Sequence, residues 1–325
     1  MPSTDATWAS PAMTAVLGIV QRVAPTQLSV LITGESGTGK EVVARAIHQH
    51  CTRPESPLVV VDCAAIPPTL LESELFGHIK GAFTGAISHR SGLVSMADGG
   101  TFFLDEVGEM PAEIQAKLLR LLEDGSYRPV GGSEQKTAQL RVIAATNRDL
   151  EQAVTQGRFR RDLYHRLNGC RIHLPPLRER REDIPPLLSA YLHKFAQAQG
   201  RPAPSLSSEA AHILASAPWP GNVRELVNCA RYLASLVPGP VITADDLPRM
   251  GEPLPVDEPL HSSGVAPDLS LLPYKAAKRA VLDKFEAEYI QAILTRHGGN
   301  VSAAARAAGI DRRSIQRMLK RMDQD

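Results

Sequence analysis

The stretch that decides the fold is SVLITGESGTGKEVVARAIHQH, residues 29–50. A β-branched run, SVLIT, leads into a glycine-rich segment, and the amphipathic run EVVARAIHQH follows it. The segment is Gly34, Glu35, Ser36, Gly37, Thr38, Gly39 and Lys40. It matches G-x-x-x-x-G-K between a strand and a helix, where glycine N–H groups and the helix start surround phosphate oxygens. The sequence therefore predicts a nucleotide-binding loop, with Lys40 reaching the β- and γ-phosphates.

One position departs from the usual loop. The Ser or Thr that normally follows the lysine and contacts magnesium is replaced by Glu41. Either the Thr38 hydroxyl or a water would take its place.

Four β-runs alternate with amphipathic stretches around this loop, at residues 29–33, 57–62, 100–107 and 140–147. Strands separated by helices favour a parallel sheet covered on both faces. We therefore expect an α/β ATPase core over residues 8–174. Residues 175–248 lack β-runs and are expected to form a helical lid.

Residues 249–272 are rich in Pro, Ser, Gly and acidic residues, which is typical of a linker. The tail from residue 274 has 11 Lys or Arg and 6 Asp or Glu, a formal charge of +5 that leaves −4 for the rest of a chain of net charge +1. We expect a basic module over residues 273–325.

Composition excludes several classes of protein. The 325 residues are 43% hydrophobic, as expected for two or three folded domains. The four cysteines show no zinc or disulfide spacing. No signal peptide and no apolar run of roughly 18–20 residues is found, so we expect a cytoplasmic protein.

A second nucleotide motif closes the run Phe102, Phe103, Leu104 with Asp105 and Glu106. Side chains alternate along a strand, so adjacent acids can have different roles. Asp105 would hold magnesium and Glu106 would polarise the attacking water. Such a pair is often only an exposed strand end, but the loop about 65 residues upstream favours the catalytic interpretation.

The strand at 140–147 ends in Thr146 and Asn147, which either sense the γ-phosphate or simply end the strand. The helical stretch FRRDLYHRL then carries Arg160 and Arg166. Either could reach a neighbouring subunit's ATP, although on the residues alone solvated surface charge is the more ordinary interpretation.

The most specific element is a loop hexapeptide with one aromatic residue: Gly81, Ala82, Phe83, Thr84, Gly85 and Ala86. It lies in a region otherwise expected to be helical. With the preceding ELFGH, residues 74–78, and the nucleotide motifs, the chain resembles the AAA+ domain of bacterial sigma-54-dependent activators of the nitrogen-regulator type over residues 8–248. A Fis-like DNA-binding tail follows.

The resemblance implies a function and a set of site residues. Bound ATP and Mg²⁺ would drive a ring, expected to be a hexamer, that remodels closed sigma-54 RNA polymerase complexes into open ones. The loop 81–86 would contact sigma-54, Thr146 and Asn147 would form the first sensor, and Arg160 and Arg166 would act in trans. In GNVREL, residues 221–226, Arg224 would read the nucleotide from the lid. A second pore loop would span 127–137, and Glu41 is normal for the family.

Two departures from the family stand out. Asp62 occupies the position of an Asn thought to restrain the catalytic glutamate, so repulsion of Glu106 or a raised carboxyl pKa would alter that coupling. No regulatory domain precedes the ATPase in this sequence, so control by a separate protein or through expression level is the expectation.

The tail predicts a helix-turn-helix. An apolar-patterned helix at 279–297 ends at a Gly-Gly pair, an Ala-rich helix follows at 302–308, and Asp311 caps the last helix after Gly309. Its outward side chains are expected to contact upstream double-stranded DNA. They are Arg312, Arg313, Ser314, Gln316, Arg317, Lys320 and Arg321. Bases are expected near Arg312, Arg313 and Gln316, and phosphates near Arg317, Lys320 and Arg321. A basic helix that docks a protein is the alternative.

Two other functions compete with transcription activation. A general AAA+ remodeller shares the nucleotide motifs, but the loop 81–86 argues against it. A DNA-binding architectural or repressor protein with a degenerate ATPase is disfavoured, because the set of ATPase residues is intact: Lys40, Asp105, Glu106, Arg160 and Arg166.

Overall fold

The computed structural model describes residues 8–83, 86–237 and 239–247, together with Asn300, Val301, Ala305 and Ala307. The chain divides into two units, Met1–Val256 and Asp257–Asp325. The first contains all the elements described below. In the second, Val301, Ala305 and Ala307 are helical. The predicted DNA-contacting helix lies outside the described residues.

A five-stranded, fully parallel sheet forms the centre of the first unit. Its strands are β1 (Val30–Thr33), β2 (Leu58–Asp62), β5 (Thr101–Asp105), β8 (Arg141–Thr146) and β9 (Cys170–His173), in the order β2-β5-β8-β1-β9. The predicted α/β class is confirmed. The edge strand β9 was not among the predicted β-runs, and its alternate residues Arg171 and His173 are exposed.

Three pairs of two-residue strands lie outside this sheet. They are β3 (Gly77–His78) with β4 (Arg90–Ser91), β6 (Ser126–Tyr127) with β7 (Lys136–Thr137), and β10 (Ser205–Leu206) with β11 (Val241–Ile242). The first pair corrects the expectation of helix around the hexapeptide. The third adds a short parallel pair to the helical lid.

Ten α-helices are found in the described part of the first unit. They are α1 (Pro11–Val23), α2 (Lys40–Gln49), α3 (Pro68–Phe76), α4 (Leu93–Met96), α5 (Ala112–Asp124), α6 (Leu150–Thr155), α7 (Arg161–Leu167), α8 (Ile184–Ala198), α9 (Ser208–Ser216) and α10 (Asn222–Leu236). Within the described ranges, every helix is too short or too polar to span a bilayer.

Alternation along β5 shows how the sheet is covered. Phe102 and Leu104 pack into one buried cluster with α3, α5 and α7, whereas Phe103 packs into another with α1 and α2. All three side chains are fully buried. Because successive strand residues face opposite sides, the sheet is covered on both faces, as predicted.

A third cluster forms the lid, where α8, α9 and α10 enclose Trp219. The Trp219 indole N–H donates to the Leu214 carbonyl at 2.9 Å, so its one polar atom is satisfied. Trp219 and the helix-starting Asn222 both have positive φ, 47° and 54°. This tight turn brings the start of α10 to the carboxyl end of the sheet, where ligands of open α/β sheets bind.

Candidate functional site

The loop between β1 and α2 has the positive-φ backbone that its glycines permit. Gly34, Gly37 and Gly39 have φ values of 152°, 77° and 103°. Lys40 is 6% exposed, and its Nζ donates to the carbonyls of Gly34 at 3.1 Å and Glu35 at 3.3 Å. These bonds hold the ammonium group over the loop, where a phosphate would otherwise accept them.

Lys40 also joins the two nucleotide motifs. Its Nζ lies 3.4 Å from Glu106 Oε1, while Glu106 Oε2 accepts the backbone N–H of Asn147 at 3.0 Å. Glu106 has a left-handed backbone, φ 50°, at the end of β5. Such a conformation costs a non-glycine residue about 1 kcal/mol, a form of strain that clusters at functional sites.

Asp105 lies beside Glu106, and the charge of Asp62 also acts on it. Its Oδ1 accepts the Glu106 N–H at 3.0 Å, and burial, followed by the charge of Glu106, raises the Asp105 pKa. The neighbouring thiol of Cys63 reports the same environment. Burial, followed by the charges of Asp62, Asp105 and Glu106, raises its pKa to about 12.

Asp62 is paired with Asp105 in the β2–β5 register, yet its side chain serves the following turn. Asp62 Oδ1 accepts the N–H groups of Ala64 at 2.9 Å and Ala65 at 3.2 Å. An Asn at this position could form the same two bonds. The described contacts of Glu106 are instead made to Lys40 and Asn147.

The loop hydroxyl and the residue after the lysine are both engaged. Thr38 Oγ1 donates to the Glu35 carbonyl at 2.8 Å, and Glu41 Oε1 accepts Arg45 Nη2 at 2.6 Å along α2. Thr146 is fully buried, and its hydroxyl accepts the Arg148 N–H at 3.1 Å. Asn147 reaches the site through its backbone.

The lid forms hydrogen bonds directly with the nucleotide loop. Arg224 Nη1 donates to Ser36 Oγ at 2.8 Å, and the N–H of Val223 donates to the Gly37 carbonyl at 2.9 Å. The approach is so close that a Cβ added to Gly37 would lie 2.4 Å from the Gly221 carbonyl oxygen. The predicted lid residue Arg224 therefore lies at the loop.

Two further lid residues, neither of them a predicted site residue, form hydrogen bonds with Glu35. Arg178 donates to both carboxylate oxygens at 2.6 and 2.9 Å, and Asn222 Nδ2 donates to one of them at 3.2 Å. Arg178, followed by Asn222, lowers the Glu35 pKa to about 2. Asn222 is fully buried, and its Oδ1 accepts the Leu177 N–H.

A buried charged pair lies behind the loop. Arg180, 2% exposed, donates to the Thr38 carbonyl at 2.6 Å, and its Nη1 lies 3.9 Å from the fully buried Asp183. Asp183 accepts three hydrogen bonds from Ala9 and Ser10 at the start of α1. Arg180 is one of three arginines in RERRED, residues 178–183, and the sequence pattern does not distinguish it from the other two. Only the fold shows that Arg180 is buried while its neighbours are exposed.

The two predicted trans-acting arginines lie at α7. Arg160 precedes the helix and pairs with Asp162 at 2.6 and 3.0 Å, and Arg166 donates twice to the Leu122 carbonyl at the end of α5. Within the described part of the chain, none of their hydrogen bonds involves the nucleotide loop.

The described residues of the hexapeptide, 81–83 and 86, lie in the connection between β3 and β4. The Gly81 N–H donates to the Ala86 carbonyl at 2.9 Å, and the Ala86 N–H donates to the Phe83 carbonyl at 3.0 Å. Phe83 is 41% exposed. Thr84 and Gly85 lie outside the described residues. The second predicted pore loop is adjacent, because the Val130 N–H donates to the Gly77 carbonyl and its carbonyl accepts from Ile79.

A parallel sheet with a phosphate-type loop at its carboxyl end, a paired-acid strand and a helical lid bonded to that loop define an AAA+ ATPase. Comparisons with known families agree. Residues 7–173 match the sigma-54 interaction domain, residues 178–257 the AAA+ ATPase lid domain, and residues 281–322 the bacterial regulatory protein, Fis family.

Individual relatives cover most of the chain. The DNA-binding transcriptional regulator NtrC of Salmonella typhimurium is 45% identical over 99% of this chain and 71% of the relative. The transcriptional regulatory protein ZraR of Klebsiella oxytoca is 45% identical over 96% and 68%. The crystal structure of NtrX from Brucella abortus in complex with ADP is 36% identical over 97% and 68%, with a TM-score of 0.70.

The chain belongs to the sigma-54-dependent transcriptional activators of the NtrC type. It combines an AAA+ ATPase with a Fis-type helix-turn-helix, and sigma-54 and DNA are its partners. The predicted family, fold class and function are confirmed.

Proposed function

We propose that this activator hydrolyses ATP between Lys40, Asp105 and Glu106, and uses the cycle to move the loop 81–86 against sigma-54. Closed promoter complexes are thereby converted into open ones. The observation that carries the proposal is that one domain contains both the exposed Phe83, on the hexapeptide loop, and the nucleotide site in which Lys40 pairs with Glu106. NtrX of Brucella abortus was crystallised with ATP and with ADP, which supports the same nucleotide here.

Each residue at the site has a part in the proposed reaction. The loop 34–41 binds the phosphates, and Lys40 exchanges the carbonyls of Gly34 and Glu35 for phosphate oxygens. Glu106 then accepts a proton from the attacking water, while the Asn147 N–H fixes its second oxygen. Thr146 supports the turn after β8, and Arg224 brings the lid to the phosphates.

Asp105 is the proposed magnesium ligand. Mg²⁺ favours one or two carboxylates together with water and substrate phosphates, so a single strand-end acid beside the phosphate loop fits it. Among the described residues, no group of three or more His, Cys, Asp or Glu is arranged to hold a metal alone. The bound ion would neutralise charge that develops on the phosphates. Thr38 Oγ1 donates its hydrogen to the Glu35 carbonyl and keeps its lone pairs, so either this hydroxyl or a water would take the place of the missing ligand.

Arg160 and Arg166 are proposed to act on the ATP of a neighbouring subunit in a ring, for which a hexamer is proposed. Both side chains are exposed. Within the described residues, their hydrogen bonds go to Asp162 and the Leu122 carbonyl and not to the nucleotide loop of their own subunit. The two arginines would exchange their weak surface contacts, with Asp162 and the Leu122 carbonyl, for strong bidentate hydrogen bonds to a phosphate.

The tail is proposed to hold the activator at upstream DNA in a bacterial cytoplasm. We propose domain boundaries at 8–174, 175–248, 249–272 and 273–325. The family match to residues 281–322 supports a DNA-binding tail, and the division after Val256 falls within the proposed linker. Base contacts by Arg312, Arg313 and Gln316, with phosphate contacts by the remaining basic residues, stay part of this proposal.

The test is open-complex formation on a sigma-54 promoter with ATP, comparing wild type with Thr84→Ala. Wild type should open the promoter, and Thr84→Ala should hydrolyse ATP without opening it. A wild-type protein that hydrolyses ATP normally but opens no complex would contradict the function. A Thr84→Ala variant that activates as well as wild type would refute only the assignment of the loop.

A further inference from the structure

His78 lies at the base of the hexapeptide and is almost fully buried. It is 8% exposed and is the last residue of β3. Its Nδ1 lies 2.7 Å from the hydroxyl of Ser73, which is on α3. A histidine in this position has its ring orientation fixed from one side by a helix of the ATPase core.

The second described side-chain contact of His78 is with the hexapeptide. The rings of His78 and Phe83 are 5.1 Å apart between centroids, at an interplanar angle of 66°. This edge-to-face arrangement is a favourable geometry for aromatic pairs. Phe83 is therefore packed against His78 on one side and remains 41% exposed.

The backbone beneath His78 has little freedom to move. A Cβ added to Gly92 would lie 2.3 Å from the Gly77 nitrogen, and one added to Gly77 would lie 2.5 Å from the Arg90 carbonyl. Val130 bonds to both neighbours of His78, at Gly77 and Ile79. The backbone that carries the His78 ring is therefore held in place, and Phe83 packs against that ring.

We propose that His78 is a positioning residue that sets the direction of Phe83 for its contact with sigma-54. The inference rests on the proposed function of the loop. Without the ring beneath it, Phe83 would sample several rotamers, and binding would have to select the productive one. Ser73 acts on Phe83 only through His78, because its hydroxyl orients the imidazole ring.

The test measures how much purified sigma-54 the 325-residue chain captures in the presence of ADP and aluminium fluoride. The captured amount for each variant is divided by the rate of ATP hydrolysis of that variant, measured separately. His78→Ala removes the ring. Ser73→Ala with His78→Phe restores a ring without leaving the buried Ser73 hydroxyl unpaired. His89→Ala changes an exposed histidine of the same segment and is the matched control.

We expect His78→Ala to weaken capture roughly threefold to tenfold, the range of one aromatic pair. The double variant should recover capture to within about twofold of wild type, as should His89→Ala. In a Phe83→Ala background, His78→Ala should have no further effect, because the two residues act as one unit.

Three results would overturn the inference. They are normal capture by His78→Ala, no recovery in the double variant, and a full additional loss in the Phe83→Ala background. If Phe83→Ala by itself captures sigma-54 as wild type does, the proposed contact by the loop fails instead. The two failures are therefore distinguishable.

Discussion

Lys40 and Glu106 form an ion pair across the nucleotide site, with 3.4 Å between Nζ and Oε1. The same lysine is the residue that the loop offers to phosphate, so a bound nucleotide and Glu106 compete for one ammonium group. The second oxygen of Glu106 stays on the Asn147 N–H. Phosphate binding would therefore release one oxygen of Glu106 toward the attacking water while the other keeps its place.

The Glu106→Gln variant should bind ATP but hydrolyse it about 10²- to 10⁴-fold more slowly, because the amide cannot accept the proton. Lys40→Ala should lose nucleotide binding itself. Turnover and equilibrium binding of a fluorescent ATP analogue separate the two effects. Near-normal turnover by Glu106→Gln would assign the base elsewhere.

Mixing inactive subunits tests whether the arginines act in trans. Lys40→Ala subunits should not bind ATP but retain Arg160 and Arg166, whereas Arg166→Ala subunits bind ATP and lack one arginine. If neighbours complete each other's sites, the mixture should hydrolyse ATP well above either variant alone. If the mixture hydrolyses ATP no faster than the sum of the two separate variants, Arg160 and Arg166 are ordinary surface charges and do not act on a neighbouring subunit's ATP.

Gly37→Ala should prevent the lid from closing on the loop, because its Cβ would lie 2.4 Å from the Gly221 carbonyl and its φ is 77°. We expect loss of nucleotide binding and a lower melting temperature. Gly18→Ala is the matched control, since a Cβ there meets nothing within 4 Å in α1 and should stabilise the helix by about 1 kcal/mol. Normal ATP binding by Gly37→Ala would show that the lid contact is dispensable.

Arg178→Met should remove a pH-dependent part of the stability. The Arg178 guanidinium, followed by the Asn222 amide, lowers the Glu35 pKa from 4.5 to about 2, so these contacts stabilise the folded state above pH 4.5. That contribution is lost as the pH falls from 4.5 toward 2. Melting temperatures of wild type and variant should differ near pH 7 and converge between pH 4.5 and 2. A difference that stays constant over that range would mean that packing, and not the ion pair, accounts for it.

The sequence by itself determined the parallel sheet, the phosphate loop and the acids at the end of β5. It could do so because these depend on local signals: β-branched runs, glycine spacing and the context of Lys40. Membership of the family followed from the same motifs with the hexapeptide 81–86.

Only the tertiary structure decided which polar residues meet. Arg178, Arg180 and Asn222 reach the loop from more than 130 positions away in sequence. The contact of His78 with Phe83 depends on a two-residue strand pair that no periodicity could reveal. Pairing of side chains across a fold is set by burial and backbone approach, and neither is encoded in any single segment of the chain.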